Sequence, residues 1–338
     1  MYGTSHASFF CFAVCVFIPA GAECSLYAAM KFPFPFPSLS TSWWAIIACL
    51  LWSTAFVGVK IGLSYSDPFS FAGIRFMLAG LLLIPFWWQR RPSWKRVREN
   101  GRVIFLVSFF QTFLVYGLFY MGMTMVSGAI AAILIGASPL TAALVAHFMG
   151  KNDTMTGRRS LALVLGMAGV VLLSVSTRPW VSPGGMSEFV GIVLLFFCTV
   201  ASGLGNVLVA GERSDMDPVF FNSLQIFFGG CCLLFVAWCM GHPIFRSYPM
   251  PYYLSLIWLS LLSAAAFSIW FILLRRPGIK VSSLNIWKFL IPVFGAGLSW
   301  IFLPGEDPNL SSLVGMVLIA GSILLYYLWE SRGVAGSI

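Results

Sequence analysis

Residues 127–149 read SGAIAAILIGASPLTAALVAHFM, a stretch long enough to cross a bilayer, almost free of charge and rich in small side chains. Gly128, Ala132 and Gly136 recur every four residues. One face of a helix here therefore lets a neighbouring backbone come close, where packing Leu against Leu gains nothing over lipid. Pro139 interrupts the pattern. It has no N–H and cannot bond the carbonyl of Ile135, so a polar group is released at membrane depth and has to meet a partner or face a cavity. The stretch is either a helix with a tolerated kink or a broken one. Residues 281–303, VSSLNIWKFLIPVFGAGLSWIFL, repeat the design, with Pro292 near mid-helix.

The rest of the chain has the same character. Of 338 residues, 59% are hydrophobic and 9% charged, and the mean hydropathy is +0.90, values of a polytopic helical membrane protein. This length, cut into spans of roughly 20 residues with short loops, gives about ten helices in one bundle. Apolar spans run approximately over 43–63, 69–88, 103–121, 127–149, 160–176, 188–210, 218–239, 252–274, 282–303 and 311–329. The net charge of +9 does not point to nucleic acid, because the basic residues sit in short loops between spans, where they set topology. The eight cysteines lie in or next to apolar stretches with no CxxC spacing and read as small packing residues. Residues 1–42 form an N-terminal extension and linker. The apolar run 9–22 is short for a span and lacks the positive flank of a signal peptide, the Phe-Pro tract up to Pro37 cannot be helical, and Met30 is a plausible start, so residues 1–29 are expected to be dispensable.

The chain also repeats itself. Asp67-Pro68 opens the second span and Asp217-Pro218 the seventh, each an N-cap followed by proline at the first helical position. At the same offset Phe71 matches Phe221, Gly80 matches Gly230 and Leu83 matches Leu233. Five spans per half, 43–176 and 188–329, force the second half to enter the membrane the other way round, as an inverted repeat. With the N-terminus inside, inner loops and tails, including the tail 330–338, carry 15 Lys and Arg residues, and outer loops only Arg178 and Arg246. Both ends of the ten-span core are expected to be cytoplasmic.

Among residues that carry chemistry, the three histidines and the absence of HExxH, GxSxG and phosphate-loop motifs give no support to an enzyme, a metal site or a cofactor. All acids fall in loops, at span ends or in the N-terminal segment, so no carboxylate sits at mid-membrane. Three cations do lie within spans. Lys60 is close enough to a span end to snorkel. Arg75 lies about 9 Å deep and either bonds backbone carbonyls or touches substrate. Lys288 is similarly deep and four residues before Pro292, so the carbonyl that proline releases is its own. Trp52, Ser53, Gln111, Tyr116, Tyr120, Asn206, Trp270 and Asn285 supply polar or aromatic groups for a translocation path, and equally suit interfacial anchoring or helix packing.

Three stretches, LLWSTAFVGVKIGL (50–63), DPFSFAGIRFMLAGLLLIPFW (67–87) and the Pro139 helix, give the chain a resemblance to the drug/metabolite transporter superfamily with two EamA-type repeats, over about residues 43–329. Where that family usually has Trp-Gly-Ser, this chain has Trp52-Ser53-Thr54, and the usual Gly-Glu after the fourth span is Gly150-Lys151. The resemblance implies a ten-helix inverted-repeat exporter or exchanger in the inner (cell) membrane, with a small-molecule substrate in a central cavity between spans 1, 3, 4, 6, 8 and 9. The chain lacks the first-span glutamate of the small multidrug members. The reading adopted is a transporter of an amino acid or organic anion along Trp52, Ser53, Arg75, Tyr116, Tyr120, Asn206, Trp270, Asn285 and Lys288, with helix breaks at Pro139 and Pro292. Its alternatives are a multidrug efflux protein and a non-transporting membrane scaffold.

Overall fold

The computed structural model describes residues 40–88, 91–136, 138–149, 157–176, 185–211, 216–243, 246–303 and parts of 310–325. The expectations for residues 1–29, the Phe-Pro linker, loops 150–156 and 304–309, the tail 330–338 and most of the tenth span lie outside them. The described residues are helical, with no strand among them. Besides a short helix at Trp94–Glu99, the helices are α1 (Thr41–Leu63), α2 (Pro68–Trp87), α3 (Gly101–Met125), α4 (Gly128–Ile135), α5 (Ser138–Met149), α6 (Gly157–Ser176), α7 (Gly185–Gly211), α8 (Pro218–Cys239), α9 (Met250–Leu274) and α10 (Val281–Phe302). Seven helices among the described residues are long and apolar enough to cross a membrane, which makes this a multi-pass membrane protein.

The Asp-Pro signals act as read. Asp67 Oδ1 accepts from the amides of Phe69 (3.1 Å) and Ser70 (2.9 Å), and Asp217 Oδ1 from those of Val219 (2.8 Å) and Phe220 (3.1 Å). Each proline occupies a position whose N–H would have had no partner in any case. The helices so started, α2 and α8, pack tightly through their glycines. A Cβ on Gly80 would sit 2.7 Å from Phe227 Cβ and 2.9 Å from the Ser223 carbonyl; one on Gly230 would sit 2.8 Å from Met77 N and 3.0 Å from the Gly73 carbonyl. Ser223 Oγ donates to the Gly80 carbonyl at 2.8 Å, bonding the two backbones where they approach.

Residues 127–149 form two helical pieces on either side of Gly136 and residue 137. The helix stops at Ile135, Gly136 donates to the Ala132 carbonyl at 3.0 Å, and a new helix begins at Ser138. In α10 the chain passes through a 3₁₀ turn, Ile286–Phe289, before Pro292. There the expectation of an unmet Lys288 carbonyl is revised: amides at the end of the turn bond the Trp287 and Lys288 carbonyls, because i→i+3 bonding takes over where proline removes the i→i+4 donor. The small-residue face has the use expected of it, since a Cβ on Gly295 of α10 would lie 3.2 Å from Ala132 Cβ of α4. The core runs along α9, where every residue from Ala266 to Leu274 is buried.

Lys60 does not reach for a membrane surface. Its Nζ donates to the carbonyls of Met123 (2.7 Å) and Val126 (2.6 Å), filling acceptors that the end of α3 leaves without helical donors.

Candidate functional site

A cavity of about 90 Å³ opens between α1, α2, α3, α4, α5, α7, α9 and α10. Aromatic rings form much of its wall, namely those of Trp52, Phe56, Tyr116, Phe119 and Phe267, and its polar lining comes from Arg75, Gln111, Ser138, Thr199, Ser202 and Lys288. Among the described residues no carboxylate lines it. The cavity lies at the helix breaks: Ile135 and Ser138 flank the first, Lys288 sits in the 3₁₀ turn of the second, and Ile291 precedes its proline.

The two cations at the cavity are held very differently. Arg75 is 1% exposed and its guanidinium is tied down on several sides. Its Nε donates to Ser263 Oγ (3.0 Å) and the Leu259 carbonyl (3.3 Å), its Nη1 donates to Tyr120 Oη (2.7 Å), and its Cζ lies 4.7 Å from the Phe76 ring centre. Arg75 therefore bonds a backbone carbonyl, the first of its two alternatives, and it also lines the cavity. Lys288 is 6% exposed and has no hydrogen bond or acidic partner among the described residues. Its Nζ faces two indoles, 4.8 Å from the Trp270 ring centre and 5.5 Å from that of Trp52. Cation–π attraction of this kind stabilises an ammonium by about 1–2 kcal/mol and leaves its N–H groups without acceptors.

Behind the cavity runs a chain of buried amides. Trp270 Nε1 and Gln111 Nε2 both donate to Asn206 Oδ1 at 3.3 Å, Asn206 Nδ2 donates to Asn285 Oδ1 at 3.0 Å, and Asn285 Nδ2 donates to the Val281 carbonyl at 2.8 Å. A second chain runs from Thr112 Oγ1 to Gln225 Oε1 (2.6 Å), from Gln225 Nε2 to Asn222 Oδ1 (2.9 Å), and from Asn222 Nδ2 to Ser268 Oγ (3.0 Å). The chains begin on adjacent residues, Gln111 and Thr112, within a π-helical stretch of α3, Ser108–Leu114, a form that recurs at functional positions.

Of the residues picked from sequence, Trp52, Arg75, Gln111, Tyr116 and Lys288 line the cavity. Tyr120, Asn206, Trp270 and Asn285 stand one layer back, holding those that do. Ser53 points into its own helix, donating to the Cys49 carbonyl at 2.9 Å. Sequence reading missed Ser138, whose position before a membrane proline was the available signal, and the wall residues Phe56, Phe119 and Phe267, which carry none.

Comparison with known proteins gives the architecture its relatives. The model of the EamA-like transporter family matches residues 39–175 and 189–328. An uncharacterized transporter of Bacillus subtilis, YvbV, is 27% identical over 289 residues, covering 86% of this chain and 92% of that protein. A WAT1-related protein of Arabidopsis thaliana, described as chloroplastic, is 26% identical over 81% of this chain and 66% of its own length. A solved crystal structure shares the fold with a TM-score of 0.68 at 17% identity, covering 88% of this chain and 98% of that one.

Proposed function

The chain belongs to the EamA-like transporter family, and on that premise we propose that it is a secondary transporter, an exporter or exchanger, of a small carboxylate-bearing metabolite such as an amino acid or organic anion. The observation that carries this reading is Lys288, an ammonium buried at the cavity with aromatic faces beside it and no acceptor for its protons among the described residues. A lysine at membrane depth costs about 2.5–3.5 kcal/mol on insertion scales, and a substrate carboxylate entering the cavity offsets that cost. A cavity of about 90 Å³ with two cations and, among the described residues, no acid on its wall suits a small anion better than the bulky cations of multidrug efflux. Trp52, Arg75, Tyr116 and Lys288 form the path, with Tyr120, Asn206, Trp270 and Asn285 positioning them.

Alternating access follows from the repeat: ten helices as two inverted units, 43–176 and 188–329, breaking at Pro139 and Pro292. The α2–α8 contact supports it, since Gly80 rests on residues 223 and 227 while Gly230 rests on residues 73 and 77, the same contact with the halves exchanged. Loop charge then sets both ends of the core in the cytoplasm of an inner-membrane protein. A reporter fused after Arg332 reads as cytoplasmic and one at Pro183 as external; the reverse result removes the inverted repeat.

The substrate reading is tested in reconstituted vesicles with a panel of amino acids, organic acids and cationic dyes. Lys288→Met abolishes movement of the anionic and zwitterionic compounds, and Lys288→Arg keeps part of it, because the charge stays while the geometry changes. Transport by Lys288→Met at the wild-type rate removes Lys288 from the path. Dye transport alone replaces the reading with multidrug efflux.

A further inference from the structure

We infer that the amide chain through Gln111, Asn206 and Asn285 is a gate, which closes the cavity towards the end of the bundle where α10 begins and parts when substrate passes to that side. The inference rests on the alternating access proposed above and names the contact that has to open for it.

Register along the helices places the chain relative to the cavity. On α7 the lining residues are Cys198, Thr199 and Ser202, and Asn206 follows one turn later, towards the C-terminal end. On α9 Phe267 lines the cavity and Trp270 follows it, again towards the C-terminal end. On α10 the lining residues are Lys288 and Ile291, and Asn285 precedes them, towards the N-terminal end. Consecutive spans alternate in direction, so the ends of α7 and α9 and the start of α10 share one side, and all three steps lead to it. Gln111, the first lining residue of α3, donates to Asn206 and carries the chain from the first half of the molecule into the second. Gln111, Asn206, Trp270 and Asn285 are all buried, so the bonds among them shut that end of the cavity.

Neutral amides suit a seal that has to open. When the helices separate, each bond between them is exchanged for one with water at a small net cost, whereas a seal of leucines would expose hydrocarbon to water in every cycle. The bonds between helices here join side chains, so parting them breaks no helical backbone bond. The packing of α7 on α3 allows the movement. The two helices meet at glycine contacts on both sides of the cavity. Beside Asn206, a Cβ on Gly205 would collide with the Gln111 side chain. Towards the other end, a Cβ on Gly191 would lie 2.8 Å from Met125 Cβ, and one on Gly122 would lie 2.7 Å from Leu195 Cγ. Cys198, Thr199 and Ser202 lie between the two contacts. The contact at Gly205 therefore parts while that at Gly191 holds, and glycine at 205 lets the closed position be reached.

Cys198 supplies the test, because it lines the cavity, is only 2% exposed in the closed arrangement and becomes reachable when a gate opens. A membrane-impermeant methanethiosulfonate is applied to the full chain from one face of the membrane at a time, in intact cells and in inside-out vesicles, and the rate of Cys198 modification is read by mass spectrometry. Asn206→Ala strands the Trp270 and Gln111 donors and the Asn285 side-chain oxygen in the closed arrangement. It raises the rate from the face where α10 begins, the cytoplasmic one on the topology proposed above, about fivefold or more, the worth of one net neutral hydrogen bond, and leaves the rate from the other face no higher. Gly205→Ala does the same with every amide in place. Gln111→Leu, Asn206→Leu and Asn285→Leu combined slow modification from that face, because the seal is then apolar. Gly191→Ala, at the opposite contact, raises the rate from the other face alone. Melting midpoints identify a variant that fails to fold, in which case the others decide. Equal rises from both faces in Asn206→Ala and Gly205→Ala, or no rise from either, overturn the gate, and alternating access stands if Cys198 of the wild-type chain is reached from each face. Modification of Cys198 from neither face in any chain removes alternating access through this cavity, and the gate with it.

Discussion

Arg75 and Lys288 are both buried cations on one cavity wall, yet one is surrounded by acceptors and the other by rings. The guanidinium spends its donors on Tyr120, Ser263 and the Leu259 carbonyl, joining α2 to α3 and α9. Among the described residues the ammonium has only the indoles of Trp52 and Trp270. Burial and sign of charge are alike, so they do not separate a structural cation from the binding one proposed at Lys288; the number of acceptors each meets does. Arg suits the first role because its planar fork meets several acceptors at once, and Lys the second because its compact charge stays available on a flexible stem.

Removing each cation in turn is the direct way to break this contrast, read as the melting midpoint in detergent. Arg75→Met has the largest effect, about 2 kcal/mol of lost stability, because it strands the buried Tyr120 hydroxyl and loosens three helices together. Lys60→Met comes next, at about 1 kcal/mol, since it uncovers the Met123 and Val126 carbonyls at one end of α3. Lys288→Met leaves the midpoint unchanged or raises it, because it removes a charge that no acceptor balances. If Lys288→Met melted lower than Arg75→Met, the contrast would be reversed and Lys288 would be the structural cation.

What was legible in the sequence followed physical constraint. The Asp-Pro pairs gave helix starts because a capping carboxylate and a proline ring act locally. The membrane prolines gave the helix breaks, and with them Lys288, because an apolar environment leaves a missing N–H few remedies. The remedy itself was hidden. Whether the carbonyl before Pro292 opens to a cavity or is met by a 3₁₀ turn is decided by backbone torsions that no residue type there announces. Tyr120, Asn206, Trp270 and Asn285 were picked out by residue type, and their place one layer behind the cavity wall was not legible, because polarity within a span marks burial and does not say which of two stacked side chains is nearer the cavity. The Thr112–Gln225–Asn222 chain was passed over entirely, its members scattered through apolar helices with no spacing in common.

The π segment of α3 shifts the helix's angular phase. Phe105, before the segment, is 64% exposed. Five α-helical turns, about 18 residues, lead from it to Met123 on the same side of an ideal wheel. Met123 is wholly buried, and Thr124, one residue later, is exposed instead. The outward face has therefore advanced by one position between the two ends of a single span, so one helical wheel drawn through Gly101–Met125 assigns its second half to the wrong sides. Two wheels, joined at Ser108–Leu114, separate the lipid-facing residues from those that turn inward.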